Sequence, residues 1–261
     1  MKKSTKTMLS ALCAVSMMFC LASCSNETAA NETVVEESSN TLHVLTQEAT
    51  PSPDWFLELP EASDESVDQV FVVAAMGMDK TTATVSLHER DEQGNWMQVL
   101  STPGYVGMNG LCLDEDHAEG VGQTPVGRYH FNCAFGIAQD PGSVMPYTQV
   151  TDDDYWSGDP DYHYNEMVNI NDYPELALDD SEHLVDYDCH YQYCLNISFN
   201  EEGTPGRGSA IFLHCFGPQW PFTGGCVSVP EYDMIEILRR VDENCVVVID
   251  TAETLNIEVP S

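Results

Sequence analysis

The chain has 261 residues, with 9 Lys and Arg against 43 Asp and Glu and a formal net charge of −34. A hydrophobic share of 43% is enough to build a core and excludes wholesale disorder. So acidic a chain argues against nucleic acid as a partner, because phosphate binding needs clustered Lys and Arg; it suits an extracytoplasmic surface that meets cationic or amine-bearing ligands.

In chain order, Lys2, Lys3 and Lys6 precede an apolar run over residues 8–21. That run is shorter than the roughly 20 residues of a transmembrane helix and fits the h-region of a secretory signal. It closes on Leu21-Ala22-Ser23-Cys24, which resembles the bacterial lipobox. The resemblance implies a lipoprotein signal peptide over residues 1–23, cleaved before a lipid-bearing Cys24. It also implies a domain held extracytoplasmically on the bacterial cell membrane. Residues 24–66 hold ten Asp or Glu and no Lys or Arg, which reads as an acidic flexible tether. Trp55-Phe56-Leu57 is an apolar island within it.

From residue 67 the pattern turns to strands. Residues 69–76, 81–89 and 95–100 form an antiparallel meander, with the turn signal Gln93-Gly94 before the third. A Gly- and acid-rich loop over 109–123 leads to Thr124-Pro125-Val126-Gly127 and a strand over 128–133. Residues 140–188 are long and little periodic, with Tyr147, Tyr155, Trp156, Tyr162 and Tyr164. That composition predicts an ordered, surface-packed insertion. Strands resume at 191–199 and 209–216, and the apolar run 245–249 is a buried strand. One clear helix is expected at about 230–241, from Met234, Ile235, Leu238 and Val241 at helical spacing. Pro230 stands in its first turn, Ser228-x-x-Glu231 suggests a capping box, and Arg239 and Arg240 fall in the last turn. The fold class is mainly β, and residues 253–261 read as a C-terminal tail.

Thr223-Gly224-Gly225-Cys226 stands between a strand and that helix. Two glycines ahead of a cysteine allow a tight turn that exposes backbone amides and the sulfur. A cysteine just before a helix start is expected to have a lowered thiol pKa, which favours the nucleophilic thiolate. His214, twelve residues upstream on a strand, is the nearest base, and alternation sends Cys215 to the opposite face. A Cys–His pair with backbone donors is a general acyl-transfer constellation. The residues alone equally allow a disulfide-bonded Cys226 with a structural His214.

The stretch Gly208-Ser209-Ala210-Ile211-Phe212-Leu213-His214, followed by Thr223-Gly224-Gly225-Cys226-Val227-Ser228-Val229-Pro230, resembles the catalytic core of the L,D-transpeptidase (YkuD-like) family. Gly122-Gln123-Thr124-Pro125-Val126-Gly127 is similar to the family's Thr-Pro-x-Gly segment. Met145-Pro146-Tyr147-Thr148 and Ser181-Glu182-His183-Leu184 resemble blocks of one bacterial branch. The resemblance implies a β-sandwich catalytic domain over 67–252 that acts on peptidoglycan stem peptides without a cofactor. Cys226 would be the nucleophile, His214 the proton donor and acceptor, and the amides of Gly224 and Gly225 oxyanion donors. Thr223, Tyr193, His183 and Tyr147 would bind substrate, and residues 146–173 would cover the cleft. The implied reaction is a 3→3 crosslink between stem tetrapeptides. Water as acceptor would make the chain an L,D-carboxypeptidase, and a non-catalytic wall-binding lipoprotein is the reading from another class. The chain departs from the family pattern at Gly224, where histidine is common, and at Ser228, where Asn or Arg is frequent.

Metal binding is not expected. No Cys-x-x-Cys pair occurs, and the acidic runs 114–116 and 152–154 lack the spaced ligands and glycine of an EF-hand. Setting aside Cys24 and Cys226, Cys112, Cys133, Cys189, Cys194, Cys215 and Cys245 are available for bridges. Cys189–Cys194 and Cys112–Cys133 are the local candidates, and at least one disulfide is expected.

Overall fold

The computed structural model describes residues 47–258. The signal peptide, Cys24 and most of the acidic tether lie outside the described residues, as does the end of the tail.

The described chain begins with β1 (Thr50–Pro51), α1 (Asp54–Leu57) and α2 (Pro60–Ser63), then the meander β2 (Gln69–Ala75), β3 (Thr82–Arg90) and β4 (Trp96–Tyr105). Next come β5 (Leu111–Leu113), the long β6 (Thr124–Gly136), β7 (Tyr147–Gln149), β8 (Asp154–Trp156), β9 (Met167–Asn169) and β10 (Glu182–His183). Then follow β11 (Cys194–Ile197), β12 (Phe212–Cys215), β13 (Val227–Val229), α3 (Glu231–Leu238) and β14 (Val246–Thr251). The main sheet runs β4-β13-β12-β11-β6-β14-β2-β3, and the β3–β4 pairing joins its ends into a barrel-like sandwich. Closure leaves these strands no free edge.

β2 shows why its sequence is an unbroken apolar run. Phe71, Val73 and Ala75 face the central core, and Val70, Val72 and Ala74 face a second cluster on the other side. Both faces are buried, so alternation disappears. The second cluster is covered by the segment expected to be tether: Phe56 is fully buried and Leu59 nearly so. Phe56 stacks on His88 at 3.9 Å between ring centroids, and His88 is held by Ser52 Oγ (2.8 Å) and Ser86 Oγ (2.9 Å). β1 pairs with β4 through Thr50 and Gln98. The folded domain therefore starts near residue 50 rather than 67; most of the acidic residues there stay on the outside while Phe56 and Leu59 dock inward. At the other end, Leu255 and Ile257 join the same cluster, so the expected tail is in part core. Phe56→Ala should cost about 3–5 kcal/mol, as large aromatic deletions in a core do. Urea unfolding checks it, and a change under about 1 kcal/mol would show that the segment only leans on the domain.

Three further expectations are corrected here. α3 is capped by Pro230 with no side-chain hydrogen bond, because Ser228 belongs to β13, where it pairs with His214 and Tyr105. Arg239 is the residue that ends α3 and Arg240 lies beyond it; Ile237 replaces Ile235 on the buried face, with Met234 and Leu238. All seven cysteines among the described residues are free thiols: Cys112, Cys133, Cys189, Cys194, Cys215, Cys226 and Cys245. Cys189 is exposed while Cys194 is sealed in β11 between β6 and β12, so the expected local bridge does not form.

The insertion is ordered, as its aromatic content predicts. It builds a small sheet, β10-β8-β9, and seats Trp156 against Phe212 of β12 at 4.8 Å between ring centroids. Phe135, Trp156, Leu184, Tyr191, Phe212 and Cys226 belong to one buried cluster, which brings the insertion to the Gly-Gly-Cys turn.

Candidate active site

β12 and β13 lie side by side in parallel, with Leu213 opposite Val227 and His214 opposite Ser228. Alternation along both strands sorts the side chains. Leu213, Cys215, Val227 and Val229 enter the central core, while His214, Cys226 and Ser228 line a cleft of about 400 Å³.

The turn before Cys226 is fixed by two threonines. Thr223 Oγ1 donates to the Cys226 carbonyl (2.6 Å) and accepts from the Gly225 N–H (3.2 Å). Thr124 Oγ1, at the start of β6, donates to the Gly225 carbonyl (2.7 Å) and accepts from the Gly107 N–H (2.9 Å). Gly225 has φ +148°, a conformation side chains rarely adopt. At Gly224 a Cβ would meet nothing within 4 Å, so the backbone there is open to the cleft. The Gly225 amide is thus occupied, whereas the Gly224 amide has no acceptor among the described residues and the Cys226 amide meets only its own sulfur.

Cys226 Sγ donates to the Ala210 carbonyl (3.1 Å) and accepts from the Phe212 N–H (3.4 Å). Ala210 takes an unusual φ of +56°. Its N–H is held by Asn165 Oδ1 (3.0 Å), so the insertion aims the carbonyl that receives the thiol. His214 Nδ1 donates to the Cys215 carbonyl (2.8 Å), which puts the ring proton on Nδ1 and leaves Nε2 as the acceptor nitrogen. The rings of Tyr191 and His190 pack against it, at 5.5 and 5.7 Å between centroids.

The electrostatics reverse one expectation. Burial pushes the Cys226 thiol up to about 12, and the Glu182 carboxylate adds to the shift. Burial also lowers His214 to about 4, with His190 adding to the effect. The resting pair is a neutral thiol and a neutral imidazole. The expected helix start close to the sulfur is absent, because β13 stands between Cys226 and α3.

The cleft gathers His214, Thr223, Gly224, Gly225 and Cys226, all anticipated, but not the other three expected substrate residues. His183 points away, stacked on Tyr155 (4.5 Å) and paired with Asp186 (3.1 Å). Tyr147 donates to the Ala138 carbonyl (3.1 Å) and packs on the core, as does Tyr193. None of residues 146–173 lines the cleft; they support its floor through Trp156 and Asn165. In their place stand Glu182 and Tyr187 from the end of the insertion, His190 and Tyr191 just after it, Glu119 from the acidic loop, and Trp220. Glu182 adjoins the anticipated His183 on the two-residue β10, and alternation sends the two side chains to opposite faces.

A neutral thiol, an acceptor imidazole and backbone donors along one cleft are the groups that thiol acyl-transfer chemistry uses. The YkuD L,D-transpeptidase catalytic domain matches residues 78–249, and the chain belongs to that family, whose members are cysteine-based enzymes acting on peptidoglycan. No curated protein matches the chain. Among solved structures it is similar to the helical cell shape determining protein Pgp2 from Campylobacter jejuni, at 15% identity and a TM-score of 0.37. The match covers 70% of this chain and 48% of that one. The K307A mutant of Pgp2 matches at 16% identity and a TM-score of 0.36, over 70% of this chain and 48% of that one. The chain thus spans about half the length of the solved structures it matches.

Proposed function

We propose that this chain is a peptidoglycan L,D-transpeptidase that forms 3→3 crosslinks by acyl transfer through Cys226. The observation that carries the reading is the placement of Cys226 just before β13 and of His214 on the neighbouring β12 along one cleft, beside the backbone amides of Gly224 and Cys226. In the first half-reaction Sγ attacks the carbonyl of the third stem residue as its proton passes to His214 Nε2. The Gly224 and Cys226 amides, rather than that of Gly225, hold the oxyanion. His214 then protonates the departing amine of the terminal D-amino acid, and a thioester remains. An amine of a second stem attacks the thioester and restores the thiol. Because thiol and imidazole are both neutral at rest, the proton moves together with attack on the carbonyl, rather than before it.

Thr223 serves by fixing the turn. Following its lipobox-like sequence, we place the domain outside the cell membrane, anchored through a lipid on Cys24.

Intact mass spectrometry with a disaccharide-tetrapeptide muropeptide tests the reading. The wild-type chain should gain the mass of the stem without its terminal residue and yield a crosslinked dimer; Cys226→Ala should do neither. Release of the terminal residue without dimer would make the enzyme a carboxypeptidase. No adduct and no product with the wild type would remove the enzymatic reading.

A further inference from the structure

Acyl transfer from Cys226 leaves the carboxylates of the cleft unused, Glu182 among them. Glu182 of β10 lines the cleft together with Cys226, and its Oε2 accepts from the Tyr191 hydroxyl at 2.8 Å. Its other oxygen, Oε1, has no donor among the described residues. Glu119 lines the same cleft, held by the hydroxyls of Tyr164 and Ser209. Among the described residues no Lys or Arg lines it, so neither carboxylate meets a cationic side chain there. The charged and titratable groups that act on Glu182 are Tyr191, Tyr187, Glu119 and Cys226.

A carboxylate in this place works against the first half-reaction, because its charge raises the Cys226 thiol and so opposes ionisation of the nucleophile. The acylation step gains nothing from it. The second half-reaction is different, since the acceptor arrives as an ammonium ion and must lose a proton before its nitrogen can attack. Building on the acyl-transfer reading above, we propose that Glu182 binds the acceptor ammonium and takes its proton, directing the acyl group to an amine in preference to water. The balance is complete. The ammonium gives one proton to the Glu182 carboxylate, and the free amine nitrogen forms a bond to the thioester carbon. The C–S bond then breaks, and the second nitrogen proton returns through His214 to Sγ, leaving an amide, a thiol and a protonated Glu182. Solvent takes the Glu182 proton before the next turnover. Burial, reinforced by Glu119 and opposed by the Tyr191 hydrogen bond, raises Glu182 to about 7, where a base is effective near neutral pH.

The test is Glu182→Gln in the full chain, with the disaccharide-tetrapeptide as donor and acceptor, scoring thioester, crosslinked dimer and hydrolysed tripeptide by mass spectrometry. The dimer-to-tripeptide ratio should fall about 100-fold, at the lower end for a positioned general base. Thioester formation and iodoacetamide labelling of Cys226 should both quicken, because the charge that raises the thiol is gone. Opposite signs in the two half-reactions are not produced by mere loosening of the fold. Tyr191→Phe, which removes only the hydroxyl, should lower the ratio less. An unchanged ratio, or equal loss of dimer and tripeptide, overturns the role of Glu182. A wild type that forms the thioester but never a dimer overturns it too, while Cys226 chemistry stands. No thioester in the wild type removes the acyl-transfer reading and this proposal with it.

Discussion

Replacing His214 by glutamine should lower turnover at pH 7 by about 10³- to 10⁴-fold, toward the upper range for loss of a general base. Glutamine keeps a donor for the Cys215 carbonyl, which His214 Nδ1 now reaches at 2.8 Å, but has no basic nitrogen to stand in for Nε2. With the Cys226 thiol raised to about 12, only about one molecule in 10⁵ carries a thiolate at pH 7. The variant must rely on that fraction, so its rate should climb about tenfold per pH unit between pH 7 and 9. The wild type draws on His214, whose pKa is lowered to about 4 by burial, so Nε2 is free throughout that range and the profile is flatter. The two profiles should converge as pH rises. Release of the terminal D-amino acid, followed against pH for both proteins, gives the comparison. Wild-type turnover by His214→Gln at pH 7 would take His214 out of the reaction. The same burial predicts that iodoacetamide labels Cys226 slowly at neutral pH in the resting enzyme, contrary to what a helix-activated thiolate would do.

Much of this was legible in the sequence where a feature has a strict period or a special backbone need. The Thr-Gly-Gly-Cys turn and the histidine on an apolar strand lie together because alternation on β12 and β13 allows little else. What failed to show was which face each insertion residue takes. β10 is two residues long, so Glu182 and His183 have equal claims by pattern, and only the packing of His183 on Tyr155 decides between them. Tyr147 and Tyr193 are consumed by core packing, as amphipathic tyrosines often are. The N-terminal segment misled for another reason. Its charge is typical of a tether, yet Phe56 on the one-turn α1 and Leu59 just before α2 bury enough apolar surface to dock it. Composition averages over the few residues that carry the contact. The acidity of the thiol was hidden as well, since the aromatic cluster around Cys226 assembles from β6, the insertion and β12, far apart in the chain.

That assembly depends on one side chain. Asn165, at φ +66° in the insertion, is buried with every hydrogen bond its amide offers in use. Oδ1 accepts from Trp156 Nε1 and from the Ala210 N–H, and Nδ2 donates to the Phe199 and Asn200 carbonyls, all at 3.0 Å. Asn165→Ala strands these partners and places a Cβ residue without the amide's compensation in left-handed backbone. The expected loss is about 3–5 kcal/mol, from unmet buried polar groups at 1–3 kcal/mol each with some relaxation. Asn165→Gly removes the amide but not the conformational freedom, so it should recover about 1 kcal/mol of that loss. Asn165→Asp keeps the shape but turns an acceptor oxygen towards two carbonyls, and should be at least as damaging as alanine at neutral pH. Urea midpoints with an unchanged dependence on denaturant would measure the series. The damage should also reach the cleft: without Asn165 nothing fixes the Ala210 N–H, and the carbonyl beyond it no longer holds the Cys226 thiol at 3.1 Å. Cys226 should then alkylate faster in the folded Gly variant than in the wild type. Equal labelling rates would mean that the strand alone holds the thiol, and the insertion would be a prop for stability with no hand in placing the nucleophile.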